Sequence, residues 1–396
     1  MPVQSNKRNI WEHSLIRVRV HFLPNLDTVA STANRVNFPA SQLICGRGGS
    51  GGNYARSYLT LSPQLKERLS EGIRKLAEPC SSLEGFLISH SFGGGAGSGL
   101  TASVVQHLNF DYGKLSLLDF PVYPALRTSP LLVEPYNGIL MTDAIIDNTS
   151  CSFILDNLAL RDMVSKTCSA DWPTNTEMNL IIARLLDLIT STMRQESSLN
   201  RTTDELRANL VPFPRLHFIV GGLAPLSVKS PTEPCEGTLE CFRPTNQVVR
   251  CALETAPLLS CCLTYRGDLQ ASDLNGLGVR VQATQDLRFV DWSPCEFKIG
   301  FVRGNGPQRP QKRHDVCLLR NSCAIHSLLT AITAPFDVMF AKRAFLHWFL
   351  LEGLEPNVFL EARETMASVI QDYEDAASES VNFESVSAEF SHLSVQ

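Results

Sequence analysis

The residues best suited to chemistry lie in one glycine-rich segment, Gly93–Gly99. Five of its seven residues are glycine, and it separates an apolar run, Gly85–Phe92, from a helical pattern over Leu100–Leu108. Backbone amides without a neighbouring Cβ atom can close around an anion, and the N-terminal end of the following helix adds partial positive charge. The pattern therefore predicts a phosphate-binding loop between a strand and a helix. The segment lacks the lysine of a P-loop and the G-x-G-x-x-G spacing of a dinucleotide site, which argues against both.

Cysteine and histidine side chains show no spacing that would predict a metal site. None of the 12 cysteines belongs to a C-x-x-C pair, and the closest sets match no zinc-ligand pattern. His90, His217 and His347 each lie within an apolar run, which favours a packed, hydrogen-bonded imidazole over a metal ligand or a base. We therefore predict no metal ligands among these residues.

Composition limits the class of protein. A chain of 396 residues that is 44% hydrophobic and 19% charged is long enough for two or three globular domains. Its 35 basic and 40 acidic residues give a net charge of −5, which argues against nucleic acid or an anionic membrane as a partner attracted by net charge. The N-terminal residues have no apolar core of a signal peptide, and the longest apolar stretch is interrupted, so we expect neither secretion nor a membrane span.

The elements around the glycine-rich segment predict a parallel sheet. Alternation over Arg17–Leu23 indicates a half-buried strand, and apolar spacing after Ser62, with Ser62 as N-cap, indicates a helix. The order of strand, turn and helix is repeated by strands at Leu115–Tyr123 and Cys151–Leu155. Such repetition is typical of βαβ units.

Helices and strands alternate less regularly in the second half. A long amphipathic helix is predicted over Thr176–Arg194, and Glu205 lies on a further helix that ends at Val211. Strands are predicted at Leu216–Val220, Leu258–Tyr265, Val279–Ala283, Leu287–Trp292 and Lys298–Val302. The apolar run Phe336–Leu351 and the stripe from Phe359 to Tyr373 predict two helices near the end.

The glycine-rich segment resembles the tubulin signature G-G-G-T-G-S-G, and other segments are similar to tubulins in the same order along nearly the whole chain. They are Asn53–Arg56, Val133–Asn137, Asp156–Asn157, Val211–Phe218, Cys262–Asp268, Phe289–Trp292 and Ala341–Trp348. Cys241–Cys251, Phe297–Gly300 and Glu205 follow the alpha subunit, and beta subunits carry lysine at the position of Glu205. The chain is identified as a divergent, alpha-like member of the tubulin family.

The resemblance implies an α/β fold with four regions. Residues 1–156 would form a Rossmann-like GTPase domain of tubulin type, and residues 157–322 a mixed α+β intermediate domain. A C-terminal helical pair would occupy 323–376, followed by a disordered, Ser- and Glu-rich tail over 377–396. The family's first strand and first glycine-rich loop have no counterpart here, so we expect an N-terminally truncated domain. Three explanations stay open: another segment takes the place of the missing strand, the folded protein is unstable, or the sequence is incomplete.

The resemblance also implies a function. The chain would be a structural constituent of microtubules in the cytoplasmic cytoskeleton, pairing with beta-tubulin in the heterodimer and the protofilament. Microtubule-associated proteins are further expected partners, attracted weakly because the tail holds few acidic residues. Glu205 would orient or deprotonate the water that attacks the GTP of the next beta subunit, so GTP hydrolysis would be completed in trans. The alternatives are a non-polymerising pseudo-tubulin that binds beta-tubulin or assembly factors and, less well supported, an independent GTPase.

The resemblance implies a degraded, non-exchangeable GTP site, in which the nucleotide is trapped in the dimer, and it assigns GTP to a set of matching residues. They are Ser91, Gly94, Gly95, Ala96, Gly97, Glu134, Asn157 and Asn179. His21 and Leu23 stand where the family carries the carboxylates on the magnesium side, Ala96 replaces a threonine, and Asn175 replaces a ring that stacks on guanine. Losing oxygen ligands and a stacking ring weakens the binding of a nucleotide and its metal. We therefore expect weak GTP binding with little dependence on magnesium.

Overall fold

The computed structural model describes most of the chain. The described residues are 15–17, 44, 46, 49–124, 129, 131–168, 173–226, 234–253, 256–267, 269, 274, 276–285, 287–292, 297–302 and 314–378. His21 and Leu23, most of the predicted strand Arg17–Leu23, and all but the start of the predicted tail lie outside them. No helix within the described residues is both long enough and apolar enough to cross a membrane.

Strands and helices alternate through the first half. They are β1 (Leu15–Arg17), α1 (Ser62–Ala77), β2 (Gly85–Ser91), α2 (Gly95–Tyr112), β3 (Ser116–Tyr123), α3 (Glu134–Ile146), β4 (Cys151–Asp156), α4 (Asn157–Cys168) and α5 (Asn175–Arg194). The predicted strands at β2, β3 and β4 and the predicted helices at α1 and α5 are confirmed. Ser62 as N-cap is wrong, because the π-helical segment Arg56–Leu61 runs directly into α1 and gives the preceding residue a helical backbone.

The second half contains strands and helices in a mixed order. They are α6 (Thr203–Leu210), β5 (Phe218–Ala224), α7 (Pro234–Phe242), β6 (Leu258–Arg266), α8 (Leu277–Gln285), β7 (Lys298–Val302), β8 (Asp315–Ser322), α9 (Ile325–Ala341), α10 (Leu346–Leu351) and α11 (Pro356–Ala377). The predicted helix that carries Glu205 and the strands at β5, β6 and β7 are confirmed.

Three predictions for the second half are wrong. The residues Val279–Ala283 lie in α8, where an alternating V-R-V-Q-A sequence imitates a strand. Leu287–Trp292 makes only an isolated bridge, from Phe289 to Leu258. The run Phe336–Leu351 is divided between α9 and α10, because Arg343 and Phe345 adopt left-handed φ angles of 53° and 58°.

One sheet connects the two halves. The strand order among the described residues is β1-β2-β3-β4-β5-β8-β6-β7. The first five strands are parallel, and β8 lies antiparallel between β5 and β6. This arrangement confirms the α/β class with a mixed second part. The domain boundary at residue 156 stays a prediction, and the sheet continues across it through the β4–β5 pair.

The register defines two edges that matter for function. Ser91 pairs with Val122, and Tyr123 pairs with Asp156, so the C-terminal ends of β2, β3 and β4 lie side by side. We call this the carboxyl edge. Gly85 pairs with Ser116 at the other end of the same strands, which we call the amino edge. Apolar side chains of α1, α2 and β2, including Leu65, Leu69 and Phe86, form a buried cluster beside the parallel strands.

Candidate functional site

The glycine-rich segment lies at the junction of β2 and α2, on the carboxyl edge. Gly94 is the N-cap of α2 and has an extended backbone, and its amide donates to Ser91 Oγ at 3.2 Å. The helix begins at Gly95 rather than at Leu100, so the predicted loop to Gly99 was too long. The first turn of a helix has backbone amides without intrahelical partners. The segment therefore presents the donors of Gly95, Ala96 and Gly97 at the end of an 18-residue helix.

Close packing also requires glycine in this segment. A Cβ atom on Gly95 would overlap the backbone of Gly52 and Asn53, and one on Gly97 would lie 2.7 Å from Ser91 O. A Cβ atom on Gly99 would overlap Tyr54 O. Packing thus accounts for these three glycines without a ligand, and the phosphate hypothesis rests on the helix terminus and the side chains around it.

Asn137 fixes a second backbone segment, residues 49–53, against the glycine-rich segment. Its side chain is fully buried. Asn137 Nδ2 donates to Gly52 O at 2.7 Å and to Gly93 O at 2.8 Å, and Oδ1 accepts from the Tyr54 amide at 3.1 Å. The sequence analysis did not assign this residue to the site, although an asparagine inside the apolar run of α3 is a signal for it.

Glu134 is the buried carboxylate of this edge. A Cβ atom on Gly93 would lie 3.0 Å from Glu134 Cγ, so the carboxylate lies beside the glycine-rich segment. Its Oε1 accepts from Ser129 Oγ at 2.7 Å, while Oε2 is buried and has no hydrogen-bond partner among the described residues. Burial raises the pKa of the Glu134 carboxyl, and the Ser129 hydrogen bond opposes this only in part. An unpaired buried acceptor fits a ligand hydroxyl.

His90 forms a buried ion pair beneath the segment. His90 Nε2 lies 3.0 Å from Asp119 Oδ1, with 3% and 0% of the two side chains exposed. Burial by itself would lower the pKa of His90, but Asp119 and the backbone at Ser91 and Gly97 raise it above 6.5. His90 Nδ1 also contacts Ser91 O at 3.2 Å, so the predicted packed, hydrogen-bonded imidazole is confirmed. His347, by contrast, is exposed, and its predicted core role is wrong.

The two predicted amide side chains are less closely joined to the site. Asn157 begins α4 directly after β4, at the carboxyl edge, and its side chain is exposed. Asn179 is exposed on α5. We find no hydrogen bond within the described part of the chain that joins either amide to Gly93–Gly99. Ser91, the glycines and Glu134 are therefore assembled by the fold, whereas Asn179 stays a prediction.

Glu205 lies at the amino edge, at the other end of the sheet from the glycines. Thr203 Oγ1 donates to Glu84 O at 3.1 Å, and Ser116 Oγ donates to Asp204 Oδ1 at 2.6 Å. Both contacts hold the start of α6 at the first residues of β2 and β3. The seven residues of β2 span about 20 Å. Glu205 therefore cannot reach a ligand held at the glycine-rich segment of its own chain.

Local hydrogen bonds hold the Glu205 carboxylate in place. Thr202, the N-cap of α6, accepts from the Glu205 amide at 3.2 Å, and Glu205 Oε2 accepts from the Arg201 amide at 2.8 Å. The side chain is half-buried. This capping arrangement is a structural role, and it also keeps a carboxylate directed at the surface of the amino edge.

Apolar side chains are exposed near the carboxyl edge. Leu132, Trp348 and Leu351 are 67%, 55% and 77% exposed. Asn53 Nδ2 donates to Trp348 O at 2.9 Å, which fixes α10 beside the 49–53 segment. Exposed apolar side chains beside a candidate ligand site are typical of a protein interface.

Known protein families and individual proteins match most of this sequence. Residues 10–165 match the family described as the Tubulin/FtsZ family, GTPase domain, and residues 214–334 match the tubulin C-terminal domain. The chain is 38% identical over 378 residues to the tubulin alpha-B chain of Neurospora crassa, covering 93% of this chain and 84% of the relative. The tubulin alpha chain of Sordaria macrospora matches with the same identity and coverage.

Proposed function

The chain belongs to the tubulin family, and on that premise we propose that it is an alpha-like microtubule subunit with a different task at each edge. It binds GTP at the carboxyl edge and pairs there with beta-tubulin, in the cytoplasmic cytoskeleton. Its amino edge directs Glu205 at the GTP of a beta subunit in the next dimer. The observation that carries the proposal is the position of the glycine-rich segment and Glu205 at opposite ends of the same strands.

The carboxyl edge has the chemistry for a nucleotide. The amides at the start of α2 favour the negative charge of phosphate groups, and the glycines let a ligand approach the backbone closely. Oε2 of Glu134, which has no partner among the residues that the structure describes, can accept a hydrogen bond from a sugar hydroxyl. GTP at this site would be trapped in the dimer rather than exchanged, and the GTP that is hydrolysed would be that of the beta subunit. Because Ala96 and Asn175 lack a hydroxyl and a stacking ring, binding is weak.

The amino edge has the chemistry for hydrolysis in trans. A carboxylate on a capped helix is preorganised, so it can accept a proton from water or orient that water. Head-to-tail stacking places the amino edge of one subunit against the carboxyl edge of the next. The reacting phosphoryl group and the catalytic carboxylate then come from different chains.

Two measurements test the proposal. Calorimetry of GTP with the purified chain should show weak binding that changes little when magnesium is removed. Tight, magnesium-dependent binding would contradict the assignment of the site. Co-expression with beta-tubulin should give a heterodimer that sediments with microtubules. A heterodimer that stays in the supernatant would instead favour the non-polymerising pseudo-tubulin.

A further inference from the structure

Asn137 joins residues 49–53 to the glycine-rich segment at the carboxyl edge. Its amide group donates to one carbonyl in each segment, Gly52 O and Gly93 O, at 2.7 and 2.8 Å. Its carbonyl accepts from the Tyr54 amide at 3.1 Å. The three hydrogen bonds use both donors and the acceptor of one side chain. No exposed surface remains on it, so this set of partners is fixed by the fold.

The same helix turn carries the ligand-facing carboxylate. Glu134 and Asn137 are three residues apart at the start of α3 and so lie on one face of that helix. The side chain of Glu134 lies beside Gly93, and the side chain of Asn137 donates a hydrogen bond to the Gly93 carbonyl. A displacement of the glycine-rich segment would therefore change its distance from both side chains together.

A second asparagine extends the connection to α10. Asn53 Oδ1 accepts from the Ala55 amide at 2.9 Å, and Nδ2 donates to Trp348 O at 2.9 Å. The hydrogen bonds thus run from Gly93 through Asn137 to residues 49–53, and from Asn53 to the helix that presents Trp348 and Leu351.

We propose that Asn137 is a positioning residue of the nucleotide site, holding residues 49–53 and the glycine-rich segment at the separation that phosphate binding needs. The inference rests on the proposed nucleotide function. Without Asn137, the carbonyls of Gly52 and Gly93 and the Tyr54 amide lose their side-chain partners, and both segments move apart or admit water. Because Asn137 is fully buried, it would act through these backbone segments and not by contact with the nucleotide.

Asn137→Ala is tested against Thr142→Ala as a matched control. Thr142 is also fully buried on α3, but its hydroxyl donates within the helix to Gly138 O at 2.9 Å. Hydrogen exchange of the nucleotide-free chain should be faster by at least about tenfold at the Tyr54 amide in Asn137→Ala, and unchanged there in Thr142→Ala. The dissociation constant of a fluorescent GTP analogue should rise by at least about tenfold in Asn137→Ala alone.

Asn137→Asp tests the hydrogen bonds without a change in side-chain size, and it replaces the alanine variant if that variant does not fold. It keeps the acceptor for the Tyr54 amide but replaces the two donated hydrogen bonds by repulsion between oxygen atoms. Exchange should therefore stay slow at Tyr54 while analogue binding weakens. Asn137 variants that match Thr142→Ala in both exchange and affinity would overturn the inference. A wild-type chain that binds no analogue would contradict the proposed function, and the exchange comparison would still decide whether Asn137 holds the two segments together.

Discussion

The two edges of the sheet differ in how the carboxylate proposed to act at each one is paired. At the amino edge, the Glu205 carboxylate accepts from the Arg201 amide and its own amide is capped by Thr202. At the carboxyl edge, Glu134 keeps one buried oxygen without a partner among the described residues, beside a helix terminus with unpaired donors. Glu134 thus keeps an acceptor for a ligand hydroxyl, whereas Glu205 is held by the start of its own helix; Glu84, also at the amino edge, has a buried Oε2 without a partner in the described part of the chain.

Of these two carboxylates, only Glu134 carries an energetic cost. A buried, unpaired carboxylate oxygen destabilises the folded chain by about 1–3 kcal/mol until a donor arrives. A capped glutamate at a helix start stabilises it by about 1 kcal/mol. Substitutions at the carboxyl edge should therefore change stability and nucleotide affinity together, while substitutions at the amino edge should change neither by much.

Gly95→Ala is the strongest way to break the carboxyl edge. The added Cβ atom would overlap the backbone of Gly52 and Asn53, which cannot move without displacing the segment that Asn137 holds. We expect a loss of about 10²-fold in GTP affinity, the equivalent of one or two charge-assisted hydrogen bonds. A titration with a fluorescent GTP analogue measures it.

Gly237→Ala is the control for Gly95→Ala, because Gly237 lies in α7, outside both segments of the site, and a Cβ atom there would make an ordinary contact 3.4 Å from Val316 Cγ2. It should change stability by about 1 kcal/mol or less and leave affinity unchanged. Hydrogen exchange at the start of α6 should be unchanged in both variants. Equal binding by Gly95→Ala and wild type would show that the nucleotide does not use this segment.

His90→Gln tests the ion pair beneath the segment. Removing the imidazole leaves the buried Asp119 without its partner. The free energy of unfolding should therefore fall by about 3 kcal/mol near pH 6.5. Because the pKa of His90 is raised in the folded chain, its contribution is complete below the ordinary value of 6.5 and disappears as pH rises through the folded pKa. The free energy of unfolding of wild type, measured in urea, should therefore fall as pH rises above 6.5. In His90→Gln it should not show this dependence on pH.

Two comparisons show whether the pH dependence comes from the His90–Asp119 pair. The double variant His90→Gln with Asp119→Asn should recover part of the lost stability, since no buried charge remains. His217 affects stability on the acid side of pH 6.5. Burial lowers its pKa, so its protonation destabilises the folded chain only below that pH. An unchanged slope above pH 6.5 in the single variant would mean that another group titrates there.

Glu134→Gln should have the smallest effects: it should raise the stability of the chain and lower its affinity for GTP. Burial raises the pKa of Glu134 above 4.5, so its ionised form destabilises the chain at neutral pH. The glutamine variant should be more stable by about 1 kcal/mol at pH 7, and the gain should vanish as pH falls and Glu134 is protonated. GTP affinity should fall by about fivefold, because a donor replaces the acceptor. Thermal melts and titrations at several pH values would detect a change of the wrong sign in either quantity.

Much of the parallel half follows from sequence because its signals are local. The apolar strands and the helix-spaced leucines of α1 are each specified within about ten residues, and the glycine-rich segment marks the junction of β2 and α2. The start of α2 was misplaced because its glycines suit a loop by propensity, but close backbone packing places them in a helix.

The rest depends on contacts between distant residues. The sequence analysis did not predict β8, because a strand that contains Asp315 and Arg320 reads as exposed. Its aspartate is buried only because Arg184 and Arg266 pair with it at 2.6 and 2.9 Å, from 131 and 49 residues away. The bridge made by Asn137 likewise spans segments up to 85 residues apart. No local pattern encodes such pairs.

The release of phosphate from mixed polymers tests the central claim, that the carboxylate of this chain acts on another chain's nucleotide. Wild type, Glu205→Ala, Glu205→Gln and Thr202→Ala would each be assembled with beta-tubulin, and phosphate release measured per incorporated dimer. Glu205→Gln keeps an acceptor for the Arg201 amide, and Thr202→Ala removes the cap but keeps the carboxylate. We predict release slower by at least about 10²-fold in both Glu205 variants, with Thr202→Ala close to wild type. Wild-type release from incorporated Glu205 variants would contradict the claim.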